Sequence, residues 1–428
     1  MSDTKTDRAA LMRDTNFRWL LGGSIISMLG DQLSALALPW LVLKMTGDAF
    51  ATGLVIAMMG VPRAIFILIG GALVDRYSPK SVLMLSKYAN VVLLGLLSLM
   101  VLGDHLSLSI VYALALGIGL ASAFSIPSAT SLLPHVIAPA KLQMANGMMM
   151  GMRQLTLLAG PLLAGLLIAL AGNDAAQSVT DARGLGLAFA FDCLSFIVSA
   201  WTLAKVRPLQ ATVARSEQAI LNAVGTGLAM VWHDRDMRTC FCYWAIVIFC
   251  IGGSMQVALP VLASTRLGGA ASLGLLMGAH GAGTLIGMVA TGVIGQRRVG
   301  NLGSTILLID AIVGVLLMPM GLITAAWQGV VLMLVVGALA GFMQVAIFTW
   351  LQRRVPPAML GRAMSIFMFI FMGLAPLSAL STGWLMQYVS LAQLFAGSGC
   401  FLLGVAALAF VLTPMRHMAD APVPATAD

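Results

Sequence analysis

The chain has 428 residues, of which 60% are hydrophobic and only 9% charged, and its mean hydropathy is +0.97. A soluble chain of this length could not keep so much apolar surface from water, which excludes the two soluble domains that length alone suggests. The net charge of +8 does not indicate nucleic acid, because the cations sit in loops between apolar runs instead of on one soluble face.

In chain order, residues 1–16 are polar with no cleavage-type apolar core, and read as a cytosolic arm. Twelve apolar runs follow, each near the roughly 20 residues that cross a bilayer. They lie near 17–43, 51–74, 81–102, 107–132, 143–170, 184–204, 239–263, 271–295, 301–324, 328–351, 361–388 and 391–414, and are numbered α1 to α12. The expected fold is an all-α membrane protein of two six-helix bundles, 17–204 and 239–414. Between them, 205–238 is a polar, proline-containing linker. Its second part spaces Val224, Leu228, Val231 and Trp232 as a helix that lies flat on the inner membrane face. Residues 415–428 form a short tail.

Most of the 24 lysines and arginines fall in the arm, the linker, the tail and alternate loops, with Lys44, Arg183 and Arg266 on the other side. The positive-inside rule therefore places both termini in the cytosol of a bacterial-type inner membrane. The five cysteines lie in or beside apolar runs, without the spacing of a disulfide framework or a metal site. No phosphate-cradling loop is present, so ATP is not the expected energy source. The 29 methionines are scattered as adaptable packing residues, so neither a metal nor a cofactor is expected.

Shifting the chain by 221 residues aligns the halves without a gap over some forty positions. Ala37-Leu38-Pro39 meets Ala258-Leu259-Pro260, Gly47 meets Gly268, Gly53 meets Gly274, and Gly71 meets Gly292. Farther on, Pro161 meets Pro376 after a short deletion. Parallel repeats of this kind place a substrate site between halves near the bilayer midplane.

A charged turn, Gly71 to Lys80, separates α2 from α3, and carries Asp75, Arg76 and Lys80. Arg297 and Arg298 echo it in the second half. The turn resembles the loop motif between helices 2 and 3 of the major facilitator superfamily, with Pro79 replacing one basic residue. That resemblance implies a cytosolic gate in which Asp75 and Arg76 grip a neighbouring helix end. An exposed charge pair at helix ends can be made in one state and broken in another. In α5, Gly147, Gly160, Pro161 and Gly165 resemble the family's antiporter motif, with Thr156 and Ala164 in place of two glycines. Close packing and a proline kink are the physical content of that motif.

Further stretches resemble the drug:proton antiporter branch that contains macrolide- and siderophore-export proteins. They are Gly30-Asp31-Gln32, Pro62-Arg63, residues 126–137, Ala145-Asn146-Gly147 and Asp192 to Phe196. The resemblance implies proton-coupled export of an amphiphilic small molecule by a monomer, with multidrug efflux and siderophore export both in range. It also implies that Gln32, Ser125, Ser128, Tyr243, Gln256 and Gln344 face the substrate cavity.

Charges inside the bilayer cost about 2.5–3.5 kcal/mol each, so each needs a partner or a task. Ser24, Ser27, Asp31 and Ser34 share one face of α1. Arg63 lies at similar depth in α2, and the repeat replaces both charges together, by Gly252 and Thr284. Asp31 and Arg63 read as a proton carrier and the partner that tunes it, or as a permanent structural ion pair. Arg153 and Asp192, at matching depths in α5 and α6, read as a brace. Asp310 reads as structural, and His280 as a buried histidine bonded to a backbone carbonyl, although it could titrate near neutral pH. Lys87 is close enough to the inner face to snorkel. A nutrient-importing symporter and a lipid-moving protein without proton coupling remain alternatives. No nucleophile, acid/base or metal constellation near a membrane face supports an enzyme.

Overall fold

The computed structural model describes residues 11–76, 78–171, 183–207, 220–294 and 300–418. Twelve helices among them are long and apolar enough to cross a membrane. They are α1 (Thr15–Thr46), α2 (Ala49–Arg76), α3 (Pro79–Leu102), α4 (Leu108–Val136), α5 (Leu142–Ala171) and α6 (Arg183–Lys205), then α7 (Arg235–Arg266), α8 (Ala270–Ile294), α9 (Leu302–Leu322), α10 (Ala326–Arg354), α11 (Pro357–Leu385) and α12 (Leu391–Leu412). A separate helix, Ile220–His233, occupies the linker, and α7 begins at Arg235, earlier than hydropathy suggested. The chain divides into two compact units, residues 1–217 with 268–274, and residues 218–267 with 275–428.

Local chemistry sets the helix starts. Asp14 accepts the Phe17 amide at 3.1 Å, Asn301 accepts that of Ser304 at 2.8 Å, and Ser390 forms a capping box with Gln393. The repeat is visible at the ends of α1 and α7. Gly47 caps α1 with φ 64°, and its partner under the 221-residue shift, Gly268, follows α7 with φ 84°. Both positions need the left-handed conformation that glycine adopts without a Cβ clash.

In the first unit, α1 packs against α5 and α6, α3 against α6, and α2 against α4. The α1–α6 contact is close because α1 presents glycines to polar side chains. A Cβ on Gly23 would lie 2.0 Å from Thr202 Oγ1, and one on Gly30 would lie 2.2 Å from Asp192 Oδ1. At one end, Leu11, Phe17, Leu20, Leu83, Leu132 and Leu203 join a single apolar cluster.

In the second unit, α7 packs on α11 and α9 on α12. The helices α8 and α10 meet backbone to backbone. Cβ atoms added to Gly283 and Gly287 would lie 2.1 and 2.0 Å from the carbonyls of Leu334 and Ala338. Added to Gly337 and Gly341, they would lie 2.1 and 2.0 Å from the carbonyls of His280 and Thr284. This is reciprocal small-residue packing, which in lipid substitutes for the missing hydrophobic drive between helices.

The linker helix joins α7 at Asp234, which caps α7 by accepting from the Asp236 and Met237 amides. Arg354, at the end of α10, donates to both Asp234 oxygens at 2.7 and 2.9 Å and reaches Asp236 at 3.0 Å. Burial opposes charge on Asp234, but Arg354 and the two amides outweigh it and hold the carboxyl below its usual range. A carboxyl held down in the folded state adds stability above its unfolded value near 3.8, and loses it as pH falls through the folded value. Thermal melts of wild type and Asp234→Asn should therefore differ at neutral pH and converge in strong acid. A gap that stayed constant with pH would show that the charge contributes nothing.

Candidate functional site

The densest group of intramembrane charges lies in the first unit, on five helices. Asp31, in the middle of the 32-residue α1, is exposed. The cations whose fields reach it are Arg63 of α2 and Lys87 of α3. Arg153 of α5 lies in turn within the field of Arg63. Asp192 of α6 is 1% exposed and lies within the field of Asp31. It accepts from Ser34 Oγ and, at 3.1 Å, from Ser195 Oγ. Three cations and two carboxylates thus belong to one bundle.

Among the described residues, Asp31 and Arg63 form no direct ion pair, and Arg63 Nε is buried without a hydrogen-bond partner. The two charges act on each other across a gap. A buried donor left open in this way is a site that a ligand or another conformation can fill.

Two sequence expectations about the charges of this bundle, on Arg153 and on Lys87, are corrected. Arg153 does not brace Asp192, because Asp192 turns toward α1, where Gly30 leaves room for it. Lys87 does not snorkel. It is 7% exposed, donates to Ser199 Oγ at 2.5 Å and Ser27 Oγ at 3.5 Å, and lies 5.5 Å from the Phe196 ring centre. Sequence depth alone put Lys87 near the surface, but the polar stripes of α1 and α6 draw it inward. The stripe Asp192, Ser195, Ser199 and Thr202 on α6 was a legible signal, at spacings of three, four and three.

Of the expected cavity residues, Gln344 is exposed, and Gln32 and Gln256 are partly so. The Gln32 side chain lies over Gly160, where an added Cβ would be 2.4 Å from Gln32 Cβ. Ser125 bonds Ser86 at 2.8 Å. Ser128, at 0% exposed, and Tyr243, at 4%, are enclosed by their own bundles, which corrects the expectation that they face a cavity. The Tyr243 hydroxyl instead donates to Asp310 at 2.7 Å, and so gives that buried carboxylate a neighbour on α7. His280 Nδ1 is buried and has no hydrogen-bond partner among the described residues, which corrects the expectation of a bond to a backbone carbonyl.

In the charged turn, the backbone of Gly71 to Arg76 completes α2. The side chains of Asp75 and Arg76, and residues 295–299 of the echo, lie outside the described part. Lys80 is described, and donates to the carbonyls of Ala204 and Val206 at 3.2 and 2.7 Å, at the end of α6. A cation there satisfies free carbonyls and the negative end of the helix dipole. In α5, Gly147 is exposed, whereas Pro161 and Gly165 are buried.

The sequence profile of the Major Facilitator Superfamily matches residues 20–379. The enterobactin exporter EntS of Escherichia coli is 26% identical over 429 aligned residues, which cover 96% of this chain and 95% of that protein. The enterobactin exporter EntS of Shigella dysenteriae is similar to the same degree. Among solved structures, a bacterial homologue of the iron transporter ferroportin in an inward-facing state aligns with a TM-score of 0.69 at 18% identity, covering 92% of this chain and 98% of that one. The nucleoside transporter NupG aligns with a TM-score of 0.70 at 11% identity, covering 92% and 97%. At these identities the two structures bear on the fold alone. The twelve helices, the two repeated halves and the profile lead to one conclusion: this chain is a multi-pass membrane transporter belonging to the Major Facilitator Superfamily.

Proposed function

We propose that this transporter exports an anionic amphiphile of the siderophore class across a bacterial inner membrane in exchange for protons, with both termini in the cytosol. The observation that carries the reading is Asp31, exposed at the middle of α1 in the fields of Arg63 and Lys87. A carboxylate so placed can take up a proton from water and, on doing so, release the cations beside it. Freed cations can then hold an anionic substrate, so the protonation state of Asp31 governs how strongly the cluster binds it. That proton and substrate move in opposite directions rests on the resemblance of Gly147, Gly160, Pro161 and Gly165 to an antiporter motif. Three cations against two carboxylates favour a negative substrate in this bundle. The relatives named as enterobactin exporters support a catechol-bearing anion. Moving one charge through 100 mV supplies about 2.3 kcal/mol. Lys80, and with it Asp75 and Arg76, forms the gate at the α2–α3 end, and Gly160 keeps α5 close to Gln32 of α1.

Everted membrane vesicles containing the protein test this reading. Under an imposed proton gradient they should accumulate a catecholate siderophore, and a protonophore should abolish accumulation. Accumulation unaffected by the protonophore would favour a facilitator or a lipid-moving protein.

A further inference from the structure

The helix α7 is not a uniform α-helix. It is α-helical over Arg235–Gly253, takes a π-helical turn over Ser254–Ala258, and resumes over Leu259–Arg266. The Ser254 amide reaches back three residues to Ile251, and the Leu259 amide reaches back five to Ser254. Such turns have identifiable causes: a proline, or a side chain inserted into the ladder.

Both are present. Pro260 cannot donate to the carbonyl of Gln256, four residues earlier, and its ring crowds that carbonyl. From α11, the Ser378 hydroxyl enters the ladder one turn before. It accepts from the Gly253 amide at 2.7 Å and donates to the Phe249 carbonyl. These are the two groups that an unbroken α-helix joins directly. Ser378 is fully buried, and Gly253 has no side chain to keep it out.

The first half of the molecule is an internal control. Under the 221-residue shift, Pro39 of α1 takes the place of Pro260, yet α1 stays α-helical from Thr15 to Thr46. Proline alone therefore does not make the π-turn. What differs is the wedge. Gln32 stands where α7 has Gly253, so the bulk lies on α1 and the glycine, Gly160, on α5. Aligned on Pro161 and Pro376, the counterpart of Ser378 is Leu163, which is 47% exposed and carries no hydroxyl.

We propose that Ser378 is a positioning residue that holds α7 in its π-turn and thereby fixes which residue of α7 the transporter presents to substrate. One inserted residue rotates the following helix by about 100° against the preceding one. The turn contains Gln256, partly exposed, beside Val257 and Ala258, both buried. Without the wedge the ladder closes, the register slips, and Gln256 leaves its direction. This rests on the reading of Gln256 as a substrate contact.

The test uses the full chain in native membranes, with single cysteines at Met255, Gln256 or Val257, and Ser, Ala or Thr at position 378. Labelling by a small water-soluble maleimide is read by peptide mass spectrometry. The expected result is labelling at 256 that is lost in Ser378→Ala, moves to a neighbouring position, and returns in Ser378→Thr, which keeps the hydroxyl. Siderophore transport should follow, with KM raised in the alanine variant and restored in the threonine variant. An unchanged labelling pattern in all three backgrounds overturns the proposal, whatever the transport rate. If labelling shifts while Gln256→Ala transports normally, the wedge stands and the substrate role of Gln256 falls. Ser378→Thr guards against loss of fold, since it preserves both hydrogen bonds.

Discussion

Replacing Asp31 with asparagine is expected to abolish proton-driven accumulation of substrate while leaving a folded protein that still exchanges substrate down its gradient. Asparagine matches the carboxylate in size but carries no titratable proton, so packing on α5 and α6 is untouched. Asp31 is exposed, so no buried hydrogen bond is lost with it. What changes is the field at Arg63 and Lys87, which then stay free of their counter-charge at every stage of the cycle. Counterflow, which needs conformational exchange but no net proton movement, should survive. Loss of both activities would make Asp31 a structural residue. Normal uphill transport would remove it from the mechanism.

The second large effect concerns α8 and α10. In an ordinary helix, replacing glycine by alanine gains up to about 1 kcal/mol. At Gly287 the sign should reverse. The added methyl would lie 2.0 Å from the carbonyl of Ala338, a backbone atom that no rotamer change can move. The helices must separate, at about 1–3 kcal/mol for overpacking and with loss of the Gly283, Gly337 and Gly341 contacts as well. Gly287→Ala should lower the thermal midpoint in detergent, and Gly283→Ala with Gly287→Ala should fail to yield folded protein. As a control, Gly292→Ala on the same helix meets nothing within 4 Å and should be neutral or stabilising. Equal behaviour of the two positions would show that the close approach is not needed.

Much of this was legible in the sequence. Hydropathy placed all twelve helices, because each must satisfy its backbone internally across the bilayer. The repeat aligned Gly47 with Gly268, and both adopt positive φ. The polar stripe of α1 marked the face on which Asp31 stands. Pairing was less legible, because depth along a helix does not say which neighbour a side chain meets. Arg153 and Asp192 share a depth, yet Gly30 draws Asp192 to α1. Lys87 looked able to snorkel, yet Ser27 and Ser199 hold its head inside. Tyr243 was assigned to the cavity by its helix, but Asp310 takes its hydroxyl. The Ser378 wedge was invisible, since it requires knowing that a serine of α11 meets a glycine of α7.

Proton movement in proteoliposomes tests the central claim most directly. Purified protein is reconstituted with a pH-sensitive dye inside, and a catecholate siderophore is added outside with no imposed gradient. Exchange predicts a substrate-dependent pH change in the lumen, as protons leave while substrate enters, and no change with Asp31→Asn. Substrate entry without any pH change in the wild type would contradict proton-coupled export.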